Sequence, residues 1–162
     1  MAGEGMQITR ERICLLTIPL LVSLGVAGLF YPGFMSYDTI HALRGARHGV
    51  TDSMWPPMVS YVWRAVDLLS FNPSAMHFSQ VFLLLFSIFF VVLFFTKKIS
   101  YATTFLFIYI SIPVVLGTLA VIWKDVLMAA FFLAGFAVIL VMRDLVSRWA
   151  FVLLSLLAAC LI

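Results

Sequence analysis

Apolar positions along this chain fall into long unbroken runs rather than into alternating or one-sided stripes, and that pattern sets the first expectation. The runs Ile13 to Tyr31, Phe78 to Thr96, Ile99 to Ile122 and Val126 to Met142 are each long enough to cross a bilayer, which takes about 20 residues at about 1.5 Å per residue. A fifth apolar run extends from Trp149 to Ile162. It is too short to cross and carries no charge at its far end, so the chain reads as the N-terminal part of a longer protein. The predicted class is an all-α polytopic transmembrane protein: a tail over 1–12, four spans, and a long first outer loop over 32–77 holding short interfacial helices.

Composition strengthens this reading. Of the 162 residues 64% are apolar and only 10% are charged, against about a quarter charged in soluble domains. Ten Lys+Arg against seven Asp+Glu leave a net charge of +3, but the basic residues are scattered in pairs, which argues against nucleic acid as a partner. Cys14 and Cys160 each lie inside an apolar run, where a thiol behaves as a small hydrophobe, so neither a disulfide framework nor a zinc spacing is present.

Charge placement then orients the spans. Arg10 and Arg12 precede the first, Lys97 and Lys98 follow the second, and Arg143 and Arg148 follow the fourth, so all fall on one side. Cytoplasmic loops carry such an excess, which places the N-terminus inside and suggests a bacterial cytoplasmic membrane. Arg44, Arg47, Arg64 and Lys124 fall on the other side, balanced by Asp38, Asp52, Asp67 and Asp125. A cleavable signal peptide, with Gly25 and Ala27 as its small-residue site, is the rival reading of the first run; that run exceeds the usual apolar core of a signal. No Asp, Glu, Lys, Arg or His falls in the middle of the four runs, where ion and proton pathways place them.

The 32–77 connection carries the chemistry. Tyr31-Pro32-Gly33 ends the first run, and Ser36 is a helix cap that puts Asp38 in a first turn, where unpaired N–H groups favour a carboxylate. The helix should run to Gly49 with Ile40, Leu43 and Ala46 or Arg47 on its apolar side. His41, Arg44 and His48 fall on the opposite side, where a solvated face explains the histidines. Trp55-Pro56-Pro57 signals a second helix running to about Ser70. Its stripe is Val59, Val62, Val66 and Leu69, with Ser60, Arg64 and Asp67 opposite and Asn72-Pro73 closing the segment. Pro113 and Gly117 predict that Ile112 to Trp123 bends or runs along the outer surface before Trp123-Lys124-Asp125 starts the fourth span.

These motifs, Tyr31-Pro32-Gly33, Ser36-Tyr37-Asp38, Pro56-Pro57-Met58, Ile112-Pro113 and Trp123-Lys124-Asp125, resemble the N-terminal part of the C-fold (GT-C) integral-membrane glycosyltransferases of the protein mannosyltransferase and aminoarabinose transferase type. The resemblance implies a sugar donor carried on a polyprenyl phosphate or pyrophosphate, an acceptor reached from the outer face, and an essential acidic residue in the first outer loop, matched by Asp38. It also implies a second acidic position at the start of the fourth span, matched by Asp125. Relatives commonly carry histidine directly before the two prolines, where this chain has Trp55, so neither a role for that histidine nor metal use carries over.

Glycosyl transfer needs a base for the acceptor hydroxyl, for which Asp38 is the candidate, and fixed positive charge for the departing phosphate. Arg44, Arg47, Arg64 and Lys124 are the available cations, with Asp125 as a further substrate contact. No cofactor motif is present and nothing in the sequence supports a divalent metal. The sequence leaves a second function open: a non-catalytic membrane protein, an assembly subunit or transporter fragment, whose outer loop docks a partner.

Overall fold

The computed structural model describes residues 2–49 and 57–142. Trp55-Pro56, Arg143, Arg148 and the last run at 149–162 lie outside these described residues. Within them the chain is helical, with seven helices and one pair of two-residue strands in the order α1 (Ala2–Leu29), β1 (Phe34–Met35), α2 (Tyr37–His48), α3 (Pro57–Asp67), α4 (Pro73–Thr96), α5 (Ile99–Ser111), α6 (Pro113–Leu119), β2 (Val121–Ile122) and α7 (Lys124–Met142).

Helix α4 organises the structure. Asn72 caps it by accepting a hydrogen bond from the Ser74 amide, and Pro73 occupies the first turn. Asn72-Pro73 therefore opens a helix, five residues earlier than the apolar run at Phe78 suggested. The physical reason is that proline loses nothing where the amide is unpaired anyway. His77 thereby moves from the predicted loop into the second turn of α4, where it is fully buried. Among the described residues α4 is the one straight helix long and apolar enough to cross a membrane. Helices α5 and α6 reach that length only together, and they are bent by 85° at Ile112-Pro113. The predicted bend is present, because proline permits a new helix to start where it denies the old one its hydrogen bond.

Two apolar clusters meet along α4. One joins Val26 of α1, Val81, Leu85 and Phe89 of α4, Ala102 and Leu106 of α5, and Ala130 of α7. The other joins Ala42 and Ala46 of α2, Val59, Trp63 and Val66 of α3, Met76 of α4, Ile122 of β2 and Leu127 of α7.

Helix α2 begins and ends where its capping residues dictate. The Ser36 hydroxyl accepts from the Thr39 amide, and Gly49 closes the helix in the left-handed conformation at φ 72°. Its buried face matches the predicted one at Ala46, with Leu43 packed against the same cluster, and departs from it elsewhere. Thr39, Ala42, Gly45 and Ala46 are buried, whereas Ile40 is exposed. Small side chains let α3 approach closely enough to reach the α2 backbone. The Ser60 hydroxyl donates to the Ala42 carbonyl at 3.0 Å, and Arg64 Nε donates to the Ala46 carbonyl at 3.1 Å. The Ser60, Arg64 and Asp67 stripe thus faces α2 instead of interrupting an outer surface. Beside it the fully buried Trp63, absent from the predicted valine stripe, fills the centre, while Leu69 lies beyond the helix and is exposed.

Candidate functional site

The site depends on how the chain returns from α6 to α7. Residues 120–123 leave the helix, so the carbonyls of residues 119–122 and the Trp123 amide need partners from elsewhere; in an apolar setting such backbone persists only when protein supplies them. Each finds one. His77 Nε2 lies 2.7 Å from the Leu119 carbonyl and must be the donor, since a carbonyl only accepts. The Phe34 amide donates to the Ala120 carbonyl at 2.9 Å. Gln80 Nε2 donates to the Val121 carbonyl at 2.9 Å, and Gln80 Oε1 accepts from the Trp123 amide at 3.1 Å. The Thr39 hydroxyl donates to the Ile122 carbonyl and lies 2.8 Å from the Ser36 hydroxyl. Strands β1 and β2 run parallel, Phe34 beside Val121 and Met35 beside Ile122.

Gly33 makes this approach possible. At φ +94° it adopts a conformation that side chains disfavour, and a Cβ there would sit 2.8 Å from the His77 ring. The turn after α1 can therefore lie against α4 and deliver β1 to β2.

The consequence is a meeting of charges from opposite ends of the chain. Lys124, the first residue of α7, places Nζ 3.1 Å from Asp38 Oδ2 in the first turn of α2. Their side chains are 28% and 27% exposed, so the pair is half-buried and open to solvent on one side. It sits at the mouth of a narrow cleft whose walls include Thr39, Trp63, Met76, Gln80, Trp123 and Leu127. The free space inside amounts to about one water molecule. At its wall the fully buried Trp63 leaves its indole N–H without a protein partner.

The other predicted site residues are distributed differently. Asp125 lies in the first turn of α7 but is exposed and outside the cleft wall. Arg44 is exposed on α2, also outside the wall. Arg47 donates through Nε and Nη2 to both carboxylate oxygens of Asp67, at 2.9 and 3.2 Å, and through Nη2 to the Phe71 carbonyl at 2.5 Å. The hydrogen bond to Asp67 raises the pKa of the Arg47 guanidinium above its ordinary value against the opposing effect of burial. Arg64 is held on the α2 backbone. Thus Asp38 and Lys124 come together, whereas Arg47 and Arg64 tie α2 to α3.

Thr39, Trp63, His77 and Gln80 have no place in the sequence-based site. A usable signal existed for two of them: His77 and Gln80 recur at a spacing of three at the head of an apolar helix, marking one polar stripe. Among the described residues no three His, Cys, Asp or Glu side chains converge as a metal site would require.

Comparison of the chain with protein-family models, curated proteins and solved structures finds no match in any of the three.

Proposed function

We propose that the chain is a polytopic membrane glycosyltransferase that moves a sugar from a polyprenyl-phosphate-linked donor to an acceptor on the outer face, with its N-terminus in the cytoplasm. The observation that carries the reading is the Asp38–Lys124 pair, half-exposed and held by a polar-pinned chain segment. In the reaction, the acceptor oxygen bonds to the anomeric carbon as the bond from that carbon to the phosphate oxygen breaks. The polyprenyl phosphate leaves with the bonding electrons, and the acceptor proton passes to Asp38. Lys124 compensates the charge that grows on the departing phosphate. Because the cleft holds about one water, the sugar lies at its mouth, and the phosphate draws Lys124 away from Asp38 as it binds.

The surroundings support a donor with a hydrocarbon chain. An apolar groove of about 320 Å³ runs between α4 and α7, lined by Leu83, Phe86, Phe90, Ala134 and Val138. Its α4 wall begins at Leu83, three residues after Gln80 of the cleft wall. The length and hydropathy of α4 support the membrane setting, and the layout Ser36-Tyr37-Asp38 with Trp123-Lys124-Asp125 supports the GT-C resemblance.

One observation favours the non-catalytic reading: the pair is closed and the cleft small, as expected of a tie that positions a docking loop. A single experiment separates the two. Membranes containing the wild-type chain should transfer labelled sugar from polyprenyl-phosphate donors, and Asp38→Asn should lower transfer by about 100-fold or more while insertion persists. Full activity in the variant, or no transfer by the wild type from any such donor, refutes the catalytic reading.

A further inference from the structure

The turn joining α3 to α4 carries three large apolar side chains that nothing in the described structure covers: Leu68 and Leu69 are each 86% exposed and Phe71 is 73% exposed. We propose that this tip is a membrane-seating element, lying in the boundary between headgroups and acyl chains of the outer leaflet.

Two observations point to lipid as the occupant. The first is continuity with the spanning helix: the tip ends at Asn72, the cap of α4. That helix of 24 residues is about 36 Å long, whereas the hydrocarbon is about 30 Å thick. Its outer turn, and the tip leading into it, therefore fall in the interfacial zone. The second is the anchoring of that zone. Asn72 Nδ2 donates to the Tyr31 hydroxyl at 2.9 Å, bringing the turn after α1 to the same level with an aromatic of the type that favours headgroups.

The tip is also held in shape by its own hydrogen bonds. The amides of Leu69 and Ser70 donate to the Val66 carbonyl at 2.9 and 3.1 Å, the Asn72 amide to the Ser70 hydroxyl at 3.3 Å, and the Phe71 carbonyl accepts from Arg47. The Arg47 guanidinium also lies 5.3 Å from the centre of the Phe71 ring, holding it in place.

This inference rests on α4 spanning the membrane and not on the transfer chemistry. It is tested by spin labels introduced singly as Leu68→Cys, Leu69→Cys and Phe90→Cys in the full chain. Cys14 and Cys160 are replaced by alanine, and the protein is reconstituted into vesicles of phosphatidylethanolamine and phosphatidylglycerol. Collision with oxygen and with a water-soluble nickel complex reports depth. The tip labels should favour oxygen and lie about 5–10 Å below the headgroup surface, with Phe90→Cys deeper still. Tip labels reached mainly by nickel, while Phe90→Cys favours oxygen, overturn the seating proposal and leave the span intact. Tip labels shielded from both probes overturn it in favour of a covering protein segment. A Phe90→Cys label reached by nickel overturns the seating proposal and the membrane reading together. Because Leu68 and Leu69 are so exposed, labelling them leaves the packing of α3 unchanged.

Discussion

Two ion pairs bracket the α2–α3 unit, and they are built for different purposes. Arg47–Asp67 joins the C-terminal ends of the two helices: the guanidinium grips both carboxylate oxygens, the Asp67 side chain is 8% exposed, and a backbone carbonyl takes a further donor. Asp38–Lys124 sits at the N-terminal end of α2, where an ammonium meets a carboxylate with both partners about a quarter exposed. A planar fork held at several points is a structural tie, while a point charge on a flexible stem is readily exchanged for another anion. The difference teaches where binding can occur in this protein: at the pair whose cation is a flexible ammonium and whose carboxylate is left partly exposed.

The largest effect is expected where the second pair depends on its support. Gln80→Leu removes the partners of the Val121 carbonyl and the Trp123 amide together, leaving two backbone groups unpaired. It should cost about 2–4 kcal/mol in thermal or denaturant unfolding of the detergent-solubilised protein. It should also separate Lys124 from Asp38 without disturbing Arg47–Asp67. Cross-linking of cysteines at positions 38 and 124, lost in Gln80→Leu and kept in the parent, checks this; retention of both stability and cross-linking would show that the segment is held by apolar packing alone.

Next in size is the functional side of the comparison. Lys124→Met should reduce transfer by about 10–100-fold by removing the charge that compensates the departing phosphate. Its cost in unfolding should stay below about 1 kcal/mol, as expected for a partly exposed pair. Asp67→Asn should do the reverse, lowering stability by about 1–2 kcal/mol after allowance for the 31% exposure of Arg47, with transfer per folded molecule unchanged. If Asp67→Asn lowers transfer per folded molecule as much as Lys124→Met does, the division between a tie and a site fails.

Much of the local structure was legible in the sequence because its causes are local. Ser36 and Gly49 bound α2 through capping and the left-handed conformation, and Pro113 marks the bend through its missing amide. Asn72-Pro73 was misread because proline closes a segment as readily as it opens a helix, and here the Asn72 cap on the Ser74 amide makes it the start of α4. The buried face of α2 was read only in part, for a different reason. Hydrophobicity alone favours Ile40, whereas close contact with α3 selects Ala42 and Gly45, beside the predicted Ala46, for their size. Of the site, Asp38 and Lys124 were both legible as residues, but their pairing across 86 positions was not. The pairing is imposed by His77, Gln80 and Thr39 acting on backbone carbonyls, and a hydrogen bond to a main-chain group leaves no complementary residue type to read.

The smallest expected effect sharpens the comparison most. Raising salt from 0.1 to 1 M shortens the screening length from about 10 Å to about 3 Å, which weakens exposed charge pairs more than enclosed ones. A double-mutant cycle of Asp38→Asn with Lys124→Met should give a coupling of about 0.5 kcal/mol at low salt that vanishes at 1 M. The same cycle on Arg47→Met with Asp67→Asn should keep most of its coupling, because both carboxylate oxygens are engaged and Asp67 is shielded by α2 and α3. The Arg47 pKa is raised in the folded state, so its contribution is present throughout the range below its unfolded value and is lost only as pH rises through the folded one. Loss of the Arg47–Asp67 coupling between pH 7 and 9 would therefore contradict a tie that depends on a permanently charged guanidinium.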